Sequence, residues 1–159
     1  YHLAIGQGDL SVTPIQLAIA QSTIVNGGKR LTPHIVTSVS DIQGKEIQKI
    51  DPPQKSETVI DADNASIVRE GMRMTVISGS ARSILADLKG NNGQPIESAG
   101  KTGTAQSGHG DSTHAWYVGY APYDNPQILV VVLVEDGGEG FSTSAPIAGE
   151  MFKAFFKDK

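Results

Sequence analysis

Hydrophobic residues recur at helical spacing in three segments of the chain, 13–25, 61–77 and 144–156. Two further segments, 115–121 and 128–134, are rich in β-branched and aromatic residues, which is typical of strands. The second of these strands does not alternate between apolar and polar positions, so we expect other elements to cover both of its faces. The order of a helix, a small hairpin, a helix, antiparallel strands and a closing helix predicts an α+β fold, with an antiparallel sheet flanked by helices.

Local signals define where the helices begin. Thr13 is placed to cap the first helix, Pro14 falls at its first position, and Gln16 can close a capping box. Asp61 or Asp63 can cap the second helix. The buried sides predicted for the second and the last helix comprise Ile67, Val68, Gly71, Met72, Met74 and Val76, and Ile147, Ala148, Met151, Phe152, Phe155 and Phe156.

The segment between the first two helices predicts a surface hairpin. Residues 31–39 are strand-like, although Pro33 favours an edge position or a bulge. Residues 41–46 predict the tip, and a short strand follows around Ile47 to Ile50. We expect residues 31–55 to be appended to the domain and to carry no chemistry.

Composition narrows the function classes. The 159 residues suit one domain. The net charge of −4 without a basic cluster argues against nucleic acid and against an anionic membrane as partners. The absence of cysteine excludes disulfides and thiolate chemistry. The longest apolar run, 128–134, is much shorter than a membrane span, so no membrane contact is expected of this segment.

One run, residues 97–106 (ESAGKTGTAQ), gathers a cation, small residues, hydroxyls and an amide. We interpret it as an edge strand that presents its backbone and side chains to a ligand. A nucleotide-binding P-loop is excluded, because Pro95 stands where that pattern needs glycine. Gly103 and the later Gly108 also disfavour the helix that would have to follow.

A metal site is not expected. The histidines show neither the spacing of zinc ligands nor a His-Glu-x-x-His run. His109 is interpreted as part of a solvated loop and His114 as the start of a strand, although His114 can instead border the site. The histidines are His2, His34, His109 and His114.

The Lys-Thr-Gly-Thr core of this run suits peptide binding. Gly103 removes a side chain, so that a peptide backbone can pair with the open edge of the strand. Lys101 supplies a positive charge for a carboxylate, Thr102 and Thr104 supply hydroxyls, and the Thr104 N–H can stabilise an oxyanion. Strict alternation, however, places Lys101 on the face opposite both threonines. The other interpretation is a plain edge strand whose lysine discourages aggregation.

Three separated blocks resemble the class B penicillin-binding proteins, within which the penicillin-binding protein 2-like D,D-transpeptidases are the most similar. Residues 5–18 resemble the segment between the second and third motifs of that family. Residues 99–106 resemble its third motif, and 114–122 resemble the strand that follows. The resemblance spans nearly the whole chain and implies part of a β-lactamase/transpeptidase-like fold. Residues 31–55 are the least family-like part.

The resemblance implies a D,D-transpeptidase that cross-links peptidoglycan stem peptides at D-Ala-D-Ala and is acylated by β-lactams, without a cofactor. It implies that Lys101 holds a serine of the second motif and attracts the substrate carboxylate, while Thr102 and Thr104 bind that carboxylate. The Thr104 amide faces the oxyanion. The substrate-binding strand comprises Thr102, Gly103, Ala105 and Gln106 besides Lys101 and Thr104.

The sequence departs from the family at the nucleophile. Ser98 and Lys101 formally match Ser-x-x-Lys, but they overlap the third motif in a predicted strand, where residues three apart face opposite sides. No Ser-x-Asn is present, and residues 123–125 (YDN) follow the third motif, which is the wrong order. We therefore expect residues 1–159 to be the C-terminal portion of one transpeptidase domain, with the nucleophile-bearing half upstream of Tyr1 and absent here.

Two other hypotheses stay open at this point. One is a non-catalytic module that binds peptides or partners with a transpeptidase-like strand, and the other is a serine β-lactamase or lactam sensor. The expected location of the parent protein is extracytoplasmic, anchored by an N-terminal membrane helix outside this chain. Expected partners are other cell-wall synthesis proteins and, if the missing half leaves an apolar face exposed, a second copy of the chain.

Overall fold

The computed structural model describes residues 6–8, 10–53, 56–108 and 110–157. His2, Ile5, Asp9 and His109, on which parts of the sequence interpretation fall, lie outside these ranges. The helices are α1 (Pro14–Val25), α2 (Ala62–Ile77), α3 (Arg82–Leu85) and α4 (Ser144–Phe155). The strands are β1 (Lys29–Leu31), β2 (Ser38–Ser40), β3 (Glu46–Lys49), β4 (Ser56–Thr58), β5 (Ala99–Gln106), β6 (Thr113–Ala121) and β7 (Ile128–Val134).

The central element is a three-stranded antiparallel sheet in the order β5-β6-β7. Gly103 pairs with Trp116, and Trp116 pairs in turn with Leu133. Over the described residues β5 has a strand neighbour on one side only, so the prediction of an edge strand is confirmed. The predicted strands at 115–121 and 128–134 are confirmed as β6 and β7, and with the helices they confirm the α+β class.

The sheet is buried on both faces. Tyr117 and Tyr120 are three residues apart on β6 and therefore point to opposite faces. Tyr117 belongs to a core cluster with Phe152 of α4 and Leu85 of α3, whereas Tyr120 packs with Met72 of α2 and with α1. Both α1 and α4 contact β7. The continuous apolar run of β7 is thereby explained.

Two arginines of α2 fasten this helix to the sheet. The Arg69 guanidinium donates to the Tyr120 hydroxyl from Nε (3.2 Å) and to the Tyr123 carbonyl from Nη2 (2.7 Å). Arg73 donates from Nη1 to the Ser98 carbonyl (2.7 Å), directly before β5. Both guanidinium groups also lie against the Tyr123 ring, at 5.7 and 5.6 Å from its centroid. The position of the edge strand is therefore tied to α2.

The predicted helix starts are confirmed. The Thr13 hydroxyl accepts from the Gln16 amide (3.3 Å), and the Gln16 side chain accepts from the Thr13 amide (2.8 Å), which completes the capping box. Asp61 is the cap of α2, and its carboxylate accepts from the Asp63 amide at 2.9 Å. The described part of the chain has no helix that combines the length and the apolar character needed to cross a bilayer.

The predicted buried sides of α2 and α4 are partly wrong. On α2 the buried stripe is Ala65, Met72 and Val76, whereas Ile67 is 66% exposed and Met74 also faces outward. On α4 the buried residues are Ser144, Ala145, Ala148, Gly149 and Phe152, while Ile147 and Met151 are exposed. Small residues line α4 where it packs closely: the Ser144 hydroxyl donates to the Ala115 carbonyl of β6 at 2.8 Å, and Gly149 lies against Leu85 of α3. Hydrophobicity alone does not indicate these positions.

The predicted hairpin is narrower than residues 31–55. A continuous strand over 31–39 is wrong, because Leu31 ends β1, which pairs with β4, and regular structure resumes only in β2, which pairs with β3. The tip is confirmed: the Asp41 carboxylate accepts from the amides of Gln43 (3.0 Å) and Lys45 (2.8 Å). Gln54 and Lys55 lie outside the described residues.

The two buried tyrosines of β6 should respond oppositely to loss of their hydroxyls. Burial raises the pKa of both phenols, and both side chains are fully buried. The Tyr117 hydroxyl has no hydrogen-bond partner among the described residues. Tyr117→Phe should therefore leave the free energy of unfolding unchanged or raise it, since an unsatisfied polar group is removed. Tyr120→Phe should lower it by about 1.5–3 kcal/mol, because the bond from Arg69 is lost. Urea denaturation followed by circular dichroism measures both, and a larger loss for Tyr117→Phe would contradict the assignment.

Candidate functional site

The open edge of β5 carries side-chain contacts on its backbone. Lys101 is exposed and donates from Nζ to the Thr102 carbonyl at 2.7 Å, and Gln7 donates from Nε2 to the Thr104 carbonyl at 3.5 Å. In an antiparallel ladder the N–H and C=O of one residue point to the same side, and successive residues alternate. Carbonyls that accept from side chains indicate that Thr102 and Thr104 turn their backbone away from β6. Their amides therefore face the open edge.

The two threonine hydroxyls bind groups from elements beside the strand. Thr102 Oγ1 lies 2.8 Å from Ser80 Oγ in the link between α2 and α3. Thr104 Oγ1 donates to Glu139 Oε2 (2.8 Å) and accepts from the Gly140 amide (3.4 Å). Alternation thus separates the lysine side chain from both hydroxyls, as expected from the strand geometry. The lysine and the hydroxyls flank the same strand edge from two sides.

A cleft of about 620 Å³ lies along this strand, between the sheet and the segment that leads into α1. All six predicted site residues line it, namely Lys101, Thr102, Gly103, Thr104, Ala105 and Gln106. The opposite wall includes Gln7, Leu10 and Val12, and the floor includes His114 and Trp116. The cleft therefore extends along six consecutive residues of the open-edge strand, where an extended peptide could pair with it.

Two glycines of β5 permit close packing. A Cβ on Gly100 would overlap the Tyr117 hydroxyl and lie 2.6 Å from the Val118 carbonyl oxygen. A Cβ on Gly103 would lie 3.2 Å from the Trp116 Cβ. Gly140 of the loop between β7 and α4 lies against the backbone of Gly103, so that a Cβ there would overlap the Gly103 carbonyl. The small residues of the motif therefore have a packing role in addition to any contact with a ligand.

Three residues of the site were not predicted from the sequence. Gln7 contacts Thr104 of the strand, although the two residues are 97 positions apart in the sequence. Ser80 and Glu139 reach the threonine hydroxyls from connections between elements. The two glycines around Gln7 have positive φ angles (71° and 82°), so they indicate a turn but not the contact that Gln7 makes. The other two residues belong to loops whose position depends on the packed sheet, and no local pattern identifies them.

The formal Ser-x-x-Lys match has no catalytic geometry. Ser98 is fully buried, and among the described residues its hydroxyl has no partner. Lys101 is exposed, and its ammonium is bound to the Thr102 carbonyl. Residues 123–125 lie in bends after β6, as expected. Neither match brings a serine to the cleft.

Of the histidines, His114 lies in β6, next to its first residue, and lines the cleft. Its Nδ1 accepts from the Asp136 amide at 3.0 Å, which fixes the ring at the start of β6. No group of three metal-ligating side chains occurs in the part of the chain that the structure describes.

The profile of the penicillin binding protein transpeptidase domain matches residues 2–154. Peptidoglycan D,D-transpeptidase MrdA of Haemophilus influenzae is 31% identical over 175 residues, covering 99% of the chain and 26% of the relative. Peptidoglycan D,D-transpeptidase PbpA of Mycolicibacterium smegmatis is also 31% identical, over 98% of the chain and 31% of the relative. The chain belongs to the penicillin-binding protein transpeptidase family, and the resemblance to class B members is confirmed. The chain spans about a quarter to a third of the length of these relatives.

Solved structures agree in fold. PBP2 of Pseudomonas aeruginosa in complex with WCK 5153 superposes with a TM-score of 0.75 at 36% identity, over 99% of the chain and 32% of that structure. The imipenem acyl-enzyme of penicillin-binding protein A from M. tuberculosis superposes with a TM-score of 0.78 at 28% identity, over 98% of the chain and 34% of that structure. These matches confirm the β-lactamase/transpeptidase-like fold.

The two glycines of the strand should differ in their tolerance of a methyl group. Gly100→Ala should lower the free energy of unfolding by about 1–3 kcal/mol or more, because backbone and a buried ring must move apart. Gly103→Ala should lower the free energy of unfolding by less, since the added Cβ would have one close neighbour, the Trp116 Cβ. Denaturation of both variants under the same conditions measures the difference. Equal losses would show that Gly100 is not confined by Tyr117.

Proposed function

We propose that this chain supplies the substrate-binding strand of a peptidoglycan D,D-transpeptidase that β-lactams acylate. The observation that supports this most directly is the open edge of β5, where residues 101–106 all line one cleft. The named relatives support the reaction class, and β-lactam complexes of related structures support the ligand class.

Each residue of the strand has a role in this proposal. The Lys101 ammonium attracts the substrate carboxylate and holds the serine of the second motif. The hydroxyls of Thr102 and Thr104 bind the carboxylate, and the Thr104 amide, which faces the open edge, donates to the oxyanion. Gly103 leaves room for the peptide backbone, and Ala105 and Gln106 contact the ligand further along the cleft.

The nucleophile belongs to residues other than 1–159 in this proposal. In the expected reaction a serine oxygen attacks the carbonyl of the D-Ala-D-Ala bond, and D-alanine leaves with the transferred proton. An amine of a second stem peptide then attacks the serine ester and releases the serine. This chain holds the substrate and stabilises the oxyanion of each step. It forms the C-terminal portion of one transpeptidase domain, on which the hairpin of β2 and β3 is an appendage.

The proposal includes a cellular setting. The substrate is a peptidoglycan stem peptide, so the protein acts outside the cytoplasm, anchored by an N-terminal membrane helix that is not in this chain. Other cell-wall synthesis proteins are its partners. A second copy of the chain is a further partner, through apolar side chains that the structure leaves exposed.

The chain of residues 1–159 alone should not be acylated by benzylpenicillin. Ser98, which has a lysine three residues later, is fully buried and does not reach the cleft. Intact-mass spectrometry after incubation with the lactam measures this. Penicillin-binding protein A from M. tuberculosis, whose penicillin G acyl-enzyme has been solved, serves as the positive control. A covalent adduct on the isolated chain would place a nucleophile within it and overturn the proposal.

In the complete protein, Lys101→Met and Thr104→Val should each slow acylation by benzylpenicillin roughly 10- to 100-fold, the effect of losing one hydrogen bond to a charged group. Lys153→Met on α4, where the lysine pairs with Glu150, removes the same charge far from the strand and should leave the rate unchanged. Stopped-flow or gel-based acylation kinetics measure all three. If the complete protein binds peptides but is not acylated, the non-catalytic module is the correct hypothesis instead.

A further inference from the structure

The Thr104 hydroxyl, which the proposed function assigns to the substrate carboxylate, is already bound to a carboxylate of the chain itself. Thr104 Oγ1 donates to Glu139 Oε2 at 2.8 Å and accepts from the Gly140 amide at 3.4 Å. A hydroxyl has a single proton to donate. As long as Glu139 holds that proton, Thr104 has none for an incoming carboxylate.

The loop that carries Glu139 is fastened on both sides of it. The Gly138 amide donates to the Thr113 carbonyl, and the Thr113 hydroxyl donates to the Gly138 carbonyl, each at 3.0 Å. Thr143 Oγ1 donates to the Gly137 carbonyl at 2.7 Å, and buried Gly140 lies against Gly103. The backbone is therefore held against the sheet. The Glu139 side chain is exposed, so it can turn towards solvent without moving the loop.

The contact between Thr104 and Glu139 disfavours anionic ligands in particular. Glu139 is acidic, whereas Lys101 provides a positive charge along the cleft. The Asp136 carboxylate is turned towards the start of β6, where it accepts from the Ser112 hydroxyl. A ligand carboxylate at Thr104 would lie next to the Glu139 carboxylate, and two like charges at that distance repel.

We propose that Glu139 is an internal competitor for the carboxylate-binding position. It occupies the Thr104 hydroxyl in the ligand-free site and has to turn away before a carboxylate-bearing ligand binds. Glu139 thereby reduces the affinity for anionic ligands and has no such effect on ligands that are neutral at this position. This inference rests on the proposed function, because it takes the carboxylate of a β-lactam or stem peptide as the ligand of Thr104.

The test compares the acylation of the complete protein by benzylpenicillin and by benzylpenicillin methyl ester. The two compounds share the lactam ring, but the ester lacks the carboxylate charge. Glu139→Gln and Glu139→Ala should raise the second-order acylation rate with benzylpenicillin by about two- to fivefold, the effect of one exposed charge interaction. The rate with the methyl ester should stay unchanged. Glu135→Gln, which removes the same charge from the same loop, is the matched control and should leave both rates as in the wild type.

A double-mutant cycle identifies the partner of Glu139. In the Thr104→Val background, Glu139→Gln should give no gain with benzylpenicillin, because the hydroxyl for which the two carboxylates compete is gone. Circular dichroism and thermal denaturation of each variant show whether it is folded, and the exposed position of Glu139 makes loss of folding unexpected.

The outcomes separate this inference from the proposed function. If the wild-type complete protein is not acylated at all, the proposed function fails. If it is acylated and the Glu139 variants match the wild type with both lactams, the competition is absent and the inference alone is overturned. Equal acceleration with benzylpenicillin and with its ester would also overturn it, since this result would show a steric effect of the side chain.

Discussion

The pairing of β5 with β6 on one side only is the constraint on which the site depends. Because β6 is the central strand of the sheet and is covered on both faces, it holds β5 in a fixed register while the outer edge of β5 stays open. The alternation of the backbone then turns the amides of Thr102 and Thr104 outward. A strand edge whose backbone groups have no strand partner is a hazard for a free protein, since it invites pairing with other chains. In the proposed function the same edge is the surface with which a peptide pairs.

Close packing around β5 restricts which residues can occupy the strand and the loop beside it. Gly100 lies against the ring of Tyr117, and the loop glycine Gly140 lies against the backbone of Gly103. A side chain is therefore excluded at Gly100 and at Gly140. The Tyr117 hydroxyl has no hydrogen-bond partner among the residues described, which is an energetic penalty that the apolar cluster around Phe152 offsets. On the other face the Arg69 guanidinium satisfies Tyr120 and connects α2 to the turn after β6. The first residues of the strand, Ala99 and Gly100, are therefore buried by packing, whereas residues 101–106 line the open cleft.

Several features could be predicted from the sequence because they depend on neighbours along the chain. The capping box of Thr13 and Gln16 is a local pattern, and it is present in the structure. The strands β6 and β7 are marked by their composition, and the uninterrupted apolar run of β7 indicates burial on both faces. The faces of α2 and α4 were predicted less well. Ile67 and Met151 are apolar but exposed, whereas Ala145 and Gly149 are buried. Helix α4 packs closely against both the sheet and α3, and Gly149 lies against Leu85 of α3.

The sequence by itself determined that Lys101, Thr102 and Thr104 lie together on one strand, and that the lysine points away from the hydroxyls. It also determined that Ser98 and Lys101 form no nucleophilic pair, since residues three apart on a strand face opposite sides. The tertiary structure alone decided which groups these side chains meet. The Gln7 side chain donates to the Thr104 carbonyl, and the Glu139 carboxylate accepts a hydrogen bond from the Thr104 hydroxyl. Such contacts join residues that are 97 and 35 positions apart, and they exist because the packed sheet brings separate loops to the same strand edge.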